Sequence, residues 1–243
     1  MREPPRALLR DASLLLDFDG TLVEIAATPE AVRVPVELTQ LIGRLHDALD
    51  GRVALITGRP ARAVSELIGY PVHVVGSHGV EFAWADRPLE VMERPAALDE
   101  VLARMRAFAA DHPGVLVEEK PLGAALHFRN APAAEAACLD LATTLAREAG
   151  LQLQAGKMMS EARAGGGDKG SAVRRIMAEP GFAGTRPVFL GDDVTDEAGF
   201  VAAAALGGAG ILVGDPRETA ATHRLPDVAA VRGWLASSIE VTA

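Results

Sequence analysis

The chain has 243 residues, with 33 acidic against 24 basic side chains for a net charge of −9, and it is 49% hydrophobic but only 4% aromatic. Such a length holds one large domain or two small ones around an aliphatic, alanine-rich core, and the acidic excess argues against nucleic acid as a partner. Cys138 is the single cysteine and the six histidines form no close ligand pair. A disulfide framework, a thiolate metal site and the usual zinc patterns are therefore excluded. Residues 1–10 carry prolines and charges without an apolar stretch, and no 18-residue run lacks charge, so neither a signal peptide nor a membrane partner is expected. The expectation is a cytoplasmic protein.

In chain order, Ser13 to Phe18 reads as a buried strand ending in Asp17-Phe18-Asp19-Gly20-Thr21. Val36 to Leu49 follows as a helix, with Leu38, Leu41, Ile42 and Leu45 at helical spacing. Arg52 to Ile56 is a second strand, running into Thr57-Gly58-Arg59-Pro60. Pro60 opens a helix through Ile68. Val72 to Val75 is a third strand, before Gly76-Ser77-His78-Gly79. Strand, helix, strand, helix, strand is the rhythm of a parallel sheet with right-handed crossovers.

The rhythm changes between about Glu81 and Arg163. Strands at Glu81–Trp84, Val115–Glu119, Ala124–Arg129, Leu151–Gln154 and Met158–Ala162 alternate with helices at Ala97–Ala110 and Ala133–Glu148. Paired strands joined by short turns such as Pro121-Leu122-Gly123 indicate an antiparallel α+β insert large enough for its own core. Asp86-Arg87-Pro88 and residues 163–167 read as its hinges. The parallel rhythm then resumes with a helix at Asp168–Met177 and a strand at Pro187–Leu190 that ends in Gly191-Asp192-Asp193. Next come a helix at Asp196–Leu206, a strand at Ile211–Val213 and a closing helix at Asp227–Ala236, with residues after Ser237 expected to fray.

Three strands end in polar groups: Asp17 and Asp19, Thr57-Gly58, and Asp192-Asp193. In open α/β sheets, ligands bind off the carboxyl ends of the strands at the switch in strand order. Asp17 and Asp19 lie two apart, and two carboxylates about 4 Å apart repel by roughly 4 kcal/mol at an effective dielectric near 20. A proton, a cation or solvent must offset that, although Asp before Gly is also ordinary turn chemistry. Asp196 adds a further carboxylate, and an acid-rich helix start is common in its own right. If these groups converge, an oxygen-only set selects a hard cation such as Mg²⁺. Lys169 begins a helix, where the macrodipole disfavours a cation unless an anion sits there; the alternative is a lysine swung into water. Gly165 to Ser171 looks like a P-loop but fails its pattern, since Asp168 precedes the lysine and no strand leads directly into it. The inventory suits phosphoryl transfer to an aspartate.

In order along the chain, Asp17-Phe18-Asp19-Gly20-Thr21, Thr57-Gly58, Lys169 and Gly191-Asp192-Asp193 resemble the four motifs of the haloacid dehalogenase-like (HAD) phosphatases. The resemblance implies a Rossmann-like parallel-sheet core with an inserted α+β cap of the C2B type: core 1–85, cap 86–164, core 165–243. It implies Asp17 as nucleophile, Asp19 as general acid/base, and Thr57 and Lys169 as phosphoryl-holding residues. It also implies Mg²⁺ bound by Asp17, the Asp19 backbone carbonyl and Asp192, with Asp193 and Asp196 supporting its waters.

Within that superfamily the chain is similar to the trehalose-6-phosphate phosphatases. The shared features are Gly76-Ser77-His78-Gly79-Val80-Glu81, Glu119-Lys120, His127-Phe128-Arg129, Ser160-Glu161-Ala162-Arg163 and Gly191 through Glu197. Ala164 stands where that family often has Pro, and the segment before Lys169 is unusually glycine-rich. The resemblance implies hydrolysis of trehalose 6-phosphate, with Gly58 and Arg59 on the substrate and Lys120, His127, Arg129 and Glu161 on the sugar hydroxyls. Read without it, those four are surface charges; His127 and Arg129, two apart, would share the wet face of a strand. Trp84 and Phe128 read as packing residues. The expected partner is a phosphosugar, in a monomer with a possible functional association with a trehalose-phosphate synthase. The rivals are a phosphatase of another glycosyl phosphate, such as sucrose phosphate or a glycosylglycerate phosphate, and a non-catalytic phospho-accepting or regulatory domain.

Overall fold

The computed structural model describes residues 1–26, 31–120, 122–156, 158–164 and 167–242. Parts of the loop expected at 29–35, of the Pro121 turn and of the 163–167 hinge lie outside them. The described chain divides into two compact units, Met1–Val91 with Gly167–Ala243, and Met92–Gly166.

The first unit is built on an eight-stranded sheet. Its strands are β1 (Ala12–Leu16), β2 (Val53–Ile56), β3 (His73–Gly76), β4 (Glu81–Ala83), β5 (Glu90–Val91), β10 (Arg186–Gly191), β11 (Ala209–Val213) and β12 (His223–Leu225). β6 to β9 belong to the second unit. The order is β12-β11-β10-β1-β2-β3-β4-β5, parallel from β12 to β3. The chain leaves β1 toward β2 on one side and returns to β10 on the other, so the switch point lies between β1 and β10.

Every residue of β1, β2 and β11 is buried, as a sheet covered on both faces requires. Alternation in β1 sends Leu14 and Leu16 to one apolar cluster and Leu15 to the other. The first cluster is closed by α1 (Val36–Ala48), α2 (Ala61–Ile68) and α7 (Val228–Thr242). Leu38, Leu41, Ile42 and Leu45 supply the α1 contribution, as their spacing predicts. The second cluster is closed by α5 (Lys169–Met177) and α6 (Glu197–Ala205), largely through Ala172, Val173, Ile176 and Phe200. Trp84 packs into this cluster too, stacked on Phe82.

Three sequence expectations change here. The strand at Glu81 belongs to the core sheet, because β4 pairs antiparallel with β3. β5 then pairs Glu81 with Val91 and Phe82 with Glu90, carrying the unit past residue 85 to Val91. The end of the chain does not fray at Ser237. α7 continues to Thr242, Ser238 is fully buried with its hydroxyl donating to the Trp234 carbonyl, and Ile239 packs against the first cluster. Trp234 in turn donates its indole N–H to the Pro4 carbonyl at 3.0 Å, tying the two ends of the chain together.

His73 opens β3 between the edges of Trp84 and Phe182, and its Nδ1 accepts from the Ala85 amide at 3.2 Å. Burial lowers its pKa from the usual 6.5, against the pull of Asp86. The unfolded chain therefore binds this proton more readily than the folded one. Stability is full above about pH 6.5 and is lost as pH falls through the lower folded value. Denaturant midpoints should fall between about pH 7.5 and about pH 5.5, and His73→Asn, which keeps an acceptor for Ala85, should narrow the difference. An unchanged difference in the variant would contradict this. His223, also shifted down by burial, contributes in the same direction.

The second unit is an antiparallel sheet of β6 (Leu116–Lys120), β7 (Gly123–His127), β9 (Met159–Arg163) and β8 (Gln152–Gly156), in that spatial order. α3 (Leu98–Asp111) and α4 (Glu135–Glu148) pack on it through Leu102, Met105, Cys138 and Leu145, against Leu126, Phe128 and Ala162. The other face carries Lys120, His127 and Glu161, on neighbouring strands. The strand expected to reach Arg129 stops at His127. Phe128 turns into the core and Arg129 lies in an exposed turn, so His127 and Arg129 do not share a strand face.

Candidate active site

The site lies at the carboxyl ends of β1 and β10. The ladder between them runs one residue past β1, with the Asp17 amide donating to the Leu190 carbonyl at 2.9 Å. The chain then turns back through Gly20, whose amide donates to Val23. Gly20 has φ of +78°, and a Cβ there would overlap the Asp192 carboxylate, so only glycine lets the two strand ends approach.

Lys169 is the centre of the cluster. It is 4% exposed, and its Nζ donates to Asp17 Oδ1 and to Asp196 Oδ1, each at 2.6 Å. The helix start that places it is closed by a reciprocal cap: Asp168 Oδ1 accepts from the Ser171 amide at 2.6 Å, and Ser171 Oγ from the Asp168 amide at 3.1 Å. Two carboxylates thus resolve the conflict between a buried lysine and a helix N-terminus. Asp196 is fully buried, and its second oxygen accepts from the amides of Asp192 and Asp193 at 3.0 and 2.9 Å. It locks the loop after β10 to Lys169. Asp193 turns its own carboxylate onto the Val194 amide.

Asp17 and Asp19 each take their own cation. Arg59 grips Asp19 bidentately, with Nε to Oδ2 at 2.6 Å and Nη2 to Oδ1 at 2.8 Å. Thr57, 1% exposed, accepts from the Arg59 amide at 3.1 Å. Asp17, Asp19, Thr57, Gly58, Arg59, Lys169, Asp192 and Asp193 all line one cavity of about 570 Å³. Ile25, Ala26, His78 and Thr195 complete its wall.

Carboxylate oxygens of Asp17, Asp192 and Asp196 lie within 4.8 Å of one another, with one ammonium among them. Burial raises the Asp17 pKa well above the carboxylate range; Lys169 opposes this and the Asp196 and Asp192 charges add to it. Burial likewise raises Asp192. Burial works against the Lys169 ammonium, yet the charges of Asp17 and Asp196 outweigh it and raise its pKa. Three carboxylates face a single ammonium, so in their ionised form they carry more negative charge than Lys169 balances. A hard divalent cation fits this oxygen set, which contains no sulfur or imidazole ligand.

In the second unit, Lys120 Nζ pairs with Glu161 Oε2 at 2.7 Å, and His127 Nε2 with Glu118 Oε2 at 2.7 Å. Glu161 is only 6% exposed. Arg129 stands apart on its turn. Sequence reasoning missed one support of the site. Arg217, on the loop after β11, pairs with Glu197 and donates to the Asp193 carbonyl at 2.8 Å. The acidic run into α6 ends in Glu197, but nothing in the sequence marks Arg217 as its partner.

A family model described as trehalose-phosphatase matches residues 15–226, a span that runs from β1 past β12. The chain belongs to the trehalose-phosphatase family. Its relatives in that family include a probable trehalose-phosphate phosphatase of Sinorhizobium fredii, 36% identical over 231 residues, covering 93% of this chain and 86% of that one. A trehalose-6-phosphate phosphatase of Escherichia coli is 36% identical over 222 residues, covering 90% and 83%. Among solved structures, the Aspergillus fumigatus trehalose-6-phosphate phosphatase superposes with a TM-score of 0.85 over 99% of both chains at 23% identity. A HAD-superfamily phosphatase of Bacteroides thetaiotaomicron superposes with a TM-score of 0.67 over 99% and 98% at 17% identity. This trehalose-phosphatase family member thus shares the fold of both. Among its described residues, no helix is long and apolar enough to cross a membrane.

Proposed function

We propose that the protein hydrolyses trehalose 6-phosphate to trehalose and phosphate through a phosphoryl group carried on Asp17. The observation that carries the reading is the buried Asp17–Lys169–Asp196 chain beside Asp192 at the switch point, in a chain of this family. An Asp17 oxygen attacks phosphorus, the phosphorus–sugar oxygen bond breaks, and the departing alkoxide takes a proton from Asp19. Asp19 then accepts a proton from water as that water attacks the aspartyl phosphate, returning Asp17 as a carboxylate. Lys169 and Thr57 hold the phosphoryl oxygens in place.

Mg²⁺ held by Asp17, Asp192 and the Asp19 carbonyl would supply further charge neutralisation on those oxygens. Asp193 and Asp196 support that set; in the described geometry, Asp196 does so by fixing the loop that carries Asp192. Arg59 binds Asp19 in its ionised form, so the acid step requires Arg59 to exchange Asp19 for an oxygen of the substrate. Gly58, at the same turn, keeps the backbone close to that oxygen.

We assign the sugar hydroxyls to Lys120, Glu161, His127 and Arg129. Glu161 has the firmest case, because a buried carboxylate with one ammonium partner keeps acceptor capacity for a hydroxyl. Glu161→Ala should raise KM for trehalose 6-phosphate about tenfold or more while moving kcat less. An unchanged KM would remove Glu161 from the sugar site. The reading as a whole is tested by phosphate release from trehalose 6-phosphate, sucrose 6-phosphate, glucose 6-phosphate and a glycosylglycerate phosphate, with Mg²⁺ and with chelator. Metal-dependent preference for trehalose 6-phosphate is expected. Equal rates across the panel would discard the disaccharide, and no release from any would favour a regulatory role.

A further inference from the structure

The loop after β3 closes the antiparallel β3–β4 hairpin in left-handed backbone. Ser77 (φ +49°), His78 (φ +58°) and Gly79 (φ +104°) are three consecutive residues in left-handed backbone, two of them carrying a Cβ. Non-glycine residues held there are uncommon and cost of order 1 kcal/mol each, so the surrounding structure must enforce the conformation. It does so through the Thr57-Gly58-Arg59 turn. The Ser77 amide donates to the Arg59 carbonyl at 2.8 Å, and the His78 amide to the Thr57 carbonyl at 3.0 Å. Glu81 braces both segments, accepting from Ser77 Oγ at 2.7 Å and from the Ala61 amide at 2.8 Å.

This lacing lays the His78 imidazole across Gly58. A Cβ at residue 58 would meet His78 Cε1 and Nε2, each at 2.7 Å, so the ring in this position leaves room only for glycine there. The ring forms part of the wall of the cavity that holds Asp17, Thr57, Arg59 and Lys169.

We propose that His78 is a substrate-binding residue, its imidazole N–H donating to a phosphoryl oxygen of the bound phosphosugar beside Gly58. The proposal rests on the phosphomonoesterase reading of the cavity but not on which sugar is esterified. Two variants separate binding from folding. His78→Gly relieves the left-handed strain, so it should melt higher than the wild type; it also removes the donor. His78→Phe keeps a ring against Gly58 and lacks the donor.

Both variants should weaken inorganic phosphate binding about tenfold or more, read by calorimetry in the presence of Mg²⁺, and should raise KM for the preferred substrate by a similar factor. Should His78→Gly fail to fold, His78→Phe carries the test. Wild-type phosphate affinity in a folded variant would overturn the proposal, since a merely structural histidine moves the melting temperature alone. The phosphate arm contains no sugar, so a mistaken disaccharide leaves it standing. A wild-type protein that binds no phosphate would sink the proposal together with the phosphomonoesterase reading.

Discussion

Asp17→Asn should abolish turnover, lowering kcat/KM for trehalose 6-phosphate by ~10⁴-fold or more. The amide has the shape of the carboxylate but no charge with which to attack phosphorus. The rest of the site has independent support. Asp196 still pairs with Lys169 at 2.6 Å and still holds the amides of Asp192 and Asp193. The variant should therefore fold, and near-UV circular dichroism should match the wild type. Initial rates across substrate concentration provide the check. A folded Asp17→Asn protein working within about tenfold of wild type would mean that Asp17 forms no covalent bond.

Lys169→Met is expected to damage stability as well as activity. The ammonium is 4% exposed and serves two carboxylates, with a third, Asp192, close by. Removing one partner of a buried ion pair costs about 3–5 kcal/mol, because the remaining charges stay buried without compensation. In a chain of this length that corresponds to a fall of about 6–20 °C in Tm. Added Mg²⁺ should recover part of the loss by neutralising Asp17 and Asp192, while phosphate release stays absent for want of Lys169. Thermal melts with chelator and with metal separate the two effects. A variant that melts with the wild type in chelator would show that the carboxylates carry their charge without Lys169.

Much of the core was legible in the sequence, because its signals are local. Leu14 to Leu16 mark a strand buried on both faces, α1 shows its apolar stripe, and Pro60 marks the start of α2. Polar residues placed just past apolar strands lead to one end of one sheet, which is why Asp17, Thr57 and Asp192 could be brought together before any coordinates. What escaped depends on contacts far apart in sequence. β5 is two residues long and β12 three, too short for any periodicity to register. Phe128 keeps the alternation of Ala124 and Leu126 into the second unit's core, but β7 ends at His127 because the chain turns there, with the Ala131 amide donating to the Phe128 carbonyl at 3.0 Å.

The site shows the same division. The acidic residues stood out by spacing, but their partners did not. Arg59 on Asp19 spans forty residues of chain, and Arg217 on Glu197 joins the loop after β11 to the start of α6 with no shared motif. Asp196 stood out as one more carboxylate, but not its place between Lys169 and two backbone amides, which fixes the loop that carries Asp192. His78 lies in the Gly76–Glu81 stretch with no role legible there, because left-handed backbone at a non-glycine residue leaves no mark on sequence.

The most direct test of the central claim is to quench the enzyme in acid during turnover of trehalose 6-phosphate with Mg²⁺ and to map the phosphoryl group by mass spectrometry. The account predicts one phosphoryl group on the peptide containing Asp17, released by hydroxylamine and absent from Asp17→Asn. Rapid turnover that leaves no phosphoryl group on the chain under conditions where hydrolysis is rate-limiting, or one that leaves it on another residue, would contradict it.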